Sequence, residues 1–181
     1  MQSKSATRAL TESAILIAAA YALSFFKAKF WAQGGSVDFV MIPILIIAFR
    51  HGPAWGIGSG LVFGTIKCFF AGGFAWGWAS ILLDYSVAYA AVGAAGFFRK
   101  ANVNVGTVVA GLLRFAVHFV SGITIYAVTV AEPGELFGKS YGNAAVFSLL
   151  YNGSYMLVNI VICVVVMNLL ARSELKRYLH G

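Results

Sequence analysis

The sequence predicts an all-α membrane protein, a bundle of six transmembrane helices with both termini in the cytoplasm. Three observations carry that fold class. Mean hydropathy is +0.84, with 60% hydrophobic and only 10% charged residues, a balance foreign to soluble domains. Long apolar runs alternate with short polar connections, which leaves no room for a soluble domain. The basic residues fall at the ends of those runs, and far more of them on one side than on the other.

The runs read in order as Ala9–Phe26, Val37–Phe49, Ala54–Phe70, Trp78–Phe98, Val105–Val130 and Tyr141–Ala171. The first carries Ala14, Ala18 and Ala22 at four-residue spacing, a flat face suited to close helix contact. The second is short for a crossing at about 1.5 Å per residue, so it is tilted or buried among the others. The third holds a glycine ladder, Gly52, Gly56, Gly60 and Gly64, which serves packing within the chain or a partner. The fourth has one charge in its 21 residues, Asp84. The fifth carries Arg114 and His118, and the sixth is long enough to protrude or kink.

On one side stand Lys4, Arg8, Arg50, Arg99, Lys100, Arg172, Lys176 and Arg177; on the other only Lys27, Lys29 and Lys139. The positive-inside rule therefore puts both termini in the cytoplasm and makes residues 1–181 one multi-pass unit. The net charge of +7 does not point to nucleic acid, because the basic residues lie at helix ends rather than on one patch. The first run follows Lys4, Arg8 and Glu12 without a small-residue cleavage site, so no cleavable leader is expected. Cys68 and Cys163 sit in apolar runs and read as small hydrophobes rather than a disulfide or metal pair.

Asp84 is the most informative residue. An acid inside a membrane helix costs roughly 2.5–3.5 kcal/mol on insertion scales, so it implies a positive partner, from the protein or from a ligand. The topology puts Asp84 about 10 Å below the outer surface at helical rise. It also brings Asp38, His118, Tyr126 and Asn152 into the outer half or near the midplane. Ser148, Tyr151, Asn152, Tyr155 and Asn159 form one polar and aromatic stripe on the sixth helix. Arg114, His118 and Ser121 share a face of the fifth.

Two readings stand. In one, Arg114 and Asp84 form a buried ion pair that fixes the bundle of a membrane assembly subunit. In the other, the groups line a pocket open to the outside, where acids hold a cation, rings stack on a flat ligand and Asn152 reads a hydrogen-bonding edge. The loop Gln33-Gly34-Gly35-Ser36 can line such a site with its backbone, and Phe74-Ala75-Trp76-Gly77-Trp78 is an interfacial aromatic belt or a lid. Lys67, near the outer end of its helix, can snorkel to the surface.

Catalytic signatures are incomplete. Gly134-Glu135-Leu136-Phe137-Gly138-Lys139-Ser140 is one residue short of a phosphate-binding loop and lies on the outer side. Gly58-Ser59-Gly60 lacks a base at its own depth, and no Cys/His spacing suits a metal. The chain reads as a binder or transporter, not an enzyme, and calls for no cofactor.

An ordered set of motifs then carries a resemblance over nearly the whole chain. It comprises Leu10-Thr11-Glu12, Gly34-Gly35-Ser36-Val37-Asp38, Met41-Ile42-Pro43-Ile44, Leu82-Leu83-Asp84-Tyr85, Arg114-Phe115-Ala116-Val117-His118-Phe119 with Gly122, and Tyr151-Asn152-Gly153. This set resembles the substrate-binding S components of energy-coupling factor (ECF) vitamin transporters, most of all the thiamine-specific branch. The resemblance implies six helices and an outward-facing thiamine site in a bacterial cell membrane. It also implies a partner module of one membrane-embedded T subunit and two ATPases, making up an ABC-type importer. Ala14, Ala18 and Ala22 would dock the T subunit. Asp84, His118, Asn152, Tyr126 and Asp38 match ligand positions, with Tyr85, Arg114, Tyr151, Ser36 and Gly35 around them. The chain departs from some members in carrying Asp for Glu at both acids, Tyr126 for Trp, Arg114 for Lys and Phe147 for a hydroxylated ring. Another cationic or flat vitamin therefore stays open as the ligand.

Overall fold

In the computed structural model, helix α1 (Gln2–Leu23) leads into a short antiparallel hairpin, β1 (Lys27–Lys29) on β2 (Ser36–Asp38), with Lys27 opposite Asp38. The structure describes residues 2–29, 35–70, 81–126, 134–174 and 176–180. Next come α2 (Met41–His51) and α3 (Pro53–Phe70). The fourth helix, 81–98, changes winding twice, from a π turn (Ile81–Val87) through α4 (Ala88–Val92) to a 3-10 turn (Gly93–Phe98). Helix α5 (Val103–Ser121) ends in a second π turn, Gly122–Tyr126. A second hairpin, β3 (Gly134–Leu136) on β4 (Lys139–Tyr141), precedes α6 (Ala144–Arg172) and the short α7 (Lys176–His180).

Local chemistry explains the breaks. Gly52 closes α2 at φ 94°, a conformation a side chain rarely adopts, and Pro53 opens α3 where its missing N–H costs nothing. Asn102 and Asn143 cap α5 and α6, each side chain accepting from two backbone amides of the first turn. Phe137 and Gly138, at φ 53° and 73°, make the tight turn of the second hairpin.

Two helical segments, Val103–Thr124 and Ala144–Arg172, are long and apolar enough to cross a membrane, yet only 33% and 28% of an apolar 18-residue window in each is buried. A soluble core helix would be mostly covered. Here Leu149, Leu157, Val161, Val165 and Leu169 of α6 face outward, as a lipid-facing surface requires. Helix α2 is the opposite case: Met41, Ile44, Leu45, Ile47, Ala48 and Phe49 are all buried, so its 11 residues form the centre of the bundle. Of the two sequence expectations for this short run, burial is the one observed.

The helix ends shift from the expected ones for physical reasons. The second helix begins at Met41 rather than Val37, because residues 36–38 pair with β1 instead of winding. The sixth begins at Ala144 rather than Tyr141, because Tyr141 belongs to β4 and Asn143 is the cap. The expected ends at 78–80 and 127–130 lie outside the described residues.

The glycine ladder packs within the chain. A Cβ on Gly56 would lie 2.6 Å from the Ala48 Cβ, and one on Gly60 or Gly64 would run into backbone carbonyls of the 81–98 helix. At the end of the bundle near the termini, Glu12 is a hub. It takes Arg8 at 2.8 Å, the His51 Nε2 at 2.8 Å and two donors from Arg50. Arg50 also donates to the Tyr178 carbonyl and lies 3.8 Å from that ring's centroid, which ties α7 to α1 and α2. Burial pushes the His51 imidazole below its ordinary value, against the opposing pull of Glu12. Both cysteines are free, as their apolar settings suggested.

Candidate functional site

Asp84 lies in the π turn that opens the fourth helix, a winding common where a helix must re-aim a side chain. Its carboxylate reaches α5: Ser121 Oγ donates at 2.8 Å, and His118 Nδ1 is 3.1 Å from the other oxygen. The Asp84 side chain is 27% exposed while that of His118 is 10% exposed, so the acid held by α5 still reaches solvent. The two α5 residues are three apart in sequence and so share one helix face.

Helix α6 supplies the next wall. Asn152 donates to the His118 carbonyl at 3.2 Å and to Ser148 Oγ at 3.0 Å, and accepts from the Tyr155 hydroxyl at 2.7 Å. The Tyr155 ring meets His118 edge-on at 6.2 Å and Tyr151 edge-on at 5.5 Å, and Tyr151 stacks on Phe147 at 5.6 Å. Ser148, Tyr151, Asn152, Tyr155 and Asn159 are all buried, as one polar stripe on an apolar helix demands. Gly35, just before β2, lies over these rings. Gly35 N donates to the Tyr151 hydroxyl, and a Cβ at Gly35 would sit 2.6 Å from the Tyr155 ring, so only glycine allows that approach. Asn159 locks β2 itself by accepting from Asp38 N at 3.0 Å and donating to the Ser36 carbonyl at 2.9 Å.

A second polar group lies beside the first. Tyr89, buried to 1% exposure, takes donors from both Lys67 and Arg114, and the Arg114 guanidinium stacks 4.3 Å from its ring centroid. Lys67 Nζ is 3.7 Å from Asp38, whose side chain is 1% exposed. Asp38 also accepts from Val40 N and Ser36 Oγ, both at 3.2 Å.

The expected residues therefore divide. Asp84, His118, Asn152 and Tyr151 come together, with Gly35 and Ser36 laid across them. Asp38, expected near the mouth as an acid, is instead sealed from solvent and matched by Lys67. Lys67 does not snorkel outward; its ammonium turns in toward Asp38 and Tyr89, which meet more of its charge than an apolar surface would. Arg114 donates to Tyr89, and among the described residues its Nε and Nη1 have no hydrogen-bond partner and it makes no ion pair with Asp84. Tyr85 follows Asp84 in the π turn, with its carbonyl against α3. Tyr126 closes the π turn after α5, and its side chain lies outside the described residues, as do the 74–78 loop, Gln33 and Gly34. Ala14, Ala18 and Ala22 are exposed along one face of α1.

Sequence reasoning missed Tyr89. A tyrosine in an apolar run looks like core, and its offset of five residues from Asp84 is not a same-face spacing on an α-helix, so no local pattern singled it out. Among the described residues there is no cluster of three or more metal-ligating side chains. Ser121 Oγ donates to the Asp84 carboxylate, not to the His118 ring. The arrangement offers a partly exposed carboxylate, an imidazole edge, an amide and edge-on phenols, the means to hold a flat cation with a polar edge.

Comparison with known proteins points the same way. The family model described as thiamine transporter protein (Thia_YuaJ) matches residues 10–179. The thiamine transporter ThiT of Bacillus subtilis is 37% identical over 186 aligned residues, which cover 93% of this chain and 92% of that protein. Its namesake from Lacticaseibacillus paracasei is 24% identical over 89% of this chain and 85% of that protein. The solved structure of ThiT from Listeria monocytogenes superposes with a TM-score of 0.82 at 22% identity, covering 96% of this chain and 98% of that one. That superposition supports the fold alone.

Proposed function

The chain belongs to the thiamine transporter protein family, and from that membership we propose that it is the membrane subunit that captures thiamine from outside the cell for an ECF-type importer. Thiamine carries a permanently charged thiazolium and a flat aminopyrimidine with a polar edge. The observation that supports the site is the pairing of a partly exposed Asp84, held by Ser121 and His118, with the Asn152–Tyr155 edge across His118. Asp84 balances the cation, the His118 and tyrosine rings flank the flat ring, and Asn152 with Tyr155 reads its edge. Gly35 and Ser36 close the site from the segment before α2, Tyr151 lines it from α6, and Tyr126 belongs to it by its match to a ligand position of the family. Arg114 and Asp38 support the site from behind through Tyr89 and Lys67.

The rest of the reading concerns assembly. Both termini face the cytoplasm, in line with the basic residues at that end. Ala14, Ala18 and Ala22 leave an exposed small-residue face on α1 for a membrane-embedded T subunit, which links the chain to two ATPases. No part of the site performs chemistry, so the energy for import comes from those partners.

The test is titration of thiamine into detergent-purified protein, followed by intrinsic tryptophan fluorescence. The expected outcome is saturable quenching at sub-micromolar thiamine and none with riboflavin or biotin. A response to either of those vitamins and not to thiamine would refute the assignment.

A further inference from the structure

At Gly64, helix α3 meets the backbone of the Asp84 segment without a side chain between them. A Cβ built on Gly64 would lie 2.3 Å from the Tyr85 carbonyl oxygen, 2.7 Å from its carbon and 2.9 Å from Ser86 Cα. One turn away, a Cβ on Gly60 would lie 2.1 Å from the Tyr89 carbonyl oxygen. These are backbone atoms, which cannot swing aside as a side-chain tip could. Gly56 is just as crowded, 2.8 Å from the Gly93 oxygen, but it abuts the far end of the 81–98 helix and α2. Gly58 has open space around it. The same residue type thus sits on one helix in three settings, and of these Gly64 alone touches the residue next to Asp84.

A second contact fixes the sliding direction. Thr65 Oγ1 lies 3.0 Å from Ser86 Oγ, two residues from Asp84. The whole Ile81–Val87 stretch is π-wound, wider than an α-helix, and needs the bare wall that glycine leaves. On the opposite side stand His118 and Ser121, which grip the Asp84 carboxylate.

We propose that Gly64 is a positioning residue of the thiamine site: by keeping α3 bare against the Tyr85 carbonyl, it sets where Asp84 meets His118 and Ser121. The proposal rests on the reading of Asp84 as a ligand contact. An alanine at 64 has to push the π turn away from α3 by about 1 Å to reach ordinary van der Waals separation. Binding sites hold their geometry to about 0.5 Å, so that shift falls directly on affinity.

The experiment is calorimetric titration of thiamine into purified Gly64→Ala, Gly56→Ala, Gly58→Ala and Thr65→Val proteins, with Tm measured on each. Gly64→Ala is expected to raise Kd by about tenfold or more while stoichiometry stays near one site. Gly56→Ala should lower Tm by a similar amount but leave Kd within about twofold, as a purely structural glycine would. Gly58→Ala should change neither, and Thr65→Val should raise Kd a few-fold with little loss of Tm. A wild-type Kd in Gly64→Ala, or equal Kd changes in Gly64→Ala and Gly56→Ala, overturns the proposal. If Gly64→Ala does not fold, Thr65→Val decides, and an unchanged Kd there overturns it. Asp84→Asn in the same series separates the two claims. Wild-type binding by Asp84→Asn sinks the ligand-contact reading and the proposal with it. Weak binding by Asp84→Asn beside normal binding by Gly64→Ala and Thr65→Val sinks the proposal alone.

Discussion

Replacing Asp84 with asparagine removes one negative charge and almost no volume. The amide oxygen still accepts from Ser121, and the site around it, bounded by His118, need not repack. What is lost is the attraction for a permanent cation. Two unit charges about 4 Å apart at an effective dielectric of about 20 attract by about 4 kcal/mol. The Asp84 side chain is 27% exposed, so solvent weakens that attraction. Desolvating the carboxylate takes a further share, which leaves about 2–3 kcal/mol, or a roughly 30- to 150-fold rise in Kd. Calorimetry with thiamine reads the loss, and a neutral aminopyrimidine lacking the thiazolium serves as the internal control. Its affinity should change by less than about threefold, since no Coulomb attraction is removed. Thermal stability should fall by about 1 kcal/mol, because the amide oxygen keeps the Ser121 bond while Nδ2 can meet His118 only when Nδ1 is the unprotonated nitrogen. If thiamine and the neutral analogue lost affinity equally, the charge argument would be refuted. Unfolding of the variant would refute it too, and would favour a structural role for the acid.

Further outcomes follow from other contacts. Asn152→Leu keeps the volume but removes the acceptor of the buried Tyr155 hydroxyl and a donor to Ser148, so thiamine affinity should drop more than tenfold and stability by about 1–3 kcal/mol; calorimetry and thermal melts check both. Arg50→Ala removes the donor that joins Glu12 to Tyr178, and should lower stability by about 2 kcal/mol while leaving thiamine Kd unchanged. A changed Kd there would mean that the Glu12 hub and the site are coupled. Ala18→Trp fills the exposed small-residue face of α1, and should abolish co-purification with a T subunit while thiamine binding by the isolated chain persists.

How much of this was legible in the sequence depends on the range of each interaction. The α6 stripe was legible because helical spacing is local: residues three, four and seven apart must share a face, and all five of its members are buried. Asp84 was legible because a charge in an apolar run has a known cost. The Lys67–Asp38–Tyr89 group was not. Its members come from β2, α3 and α4, and nothing local distinguishes a lysine that snorkels outward from one that turns in to meet an acid on another element. The ion pair between Arg114 and Asp84 failed for the same reason, since spacing could not show that Tyr89 stands in reach of the guanidinium. The short hairpins were hidden by hydropathy, which reads Val37 and Tyr141 as parts of helices although their backbones pair with β1 and β3. The glycine ladder announced close packing but not its partner, and that partner proved to be the backbone beside Asp84.

The measurement that tests the central claim most directly is the position of thiamine in a crystal structure of its complex with the protein. The expected result is ligand density between Asp84, His118 and Asn152, with the thiazolium about 4 Å from the Asp84 carboxylate and the pyrimidine edge toward Asn152 and Tyr155. Thiamine bound elsewhere, with the Asp84–His118–Ser121 contacts unchanged and facing no ligand, would contradict the account.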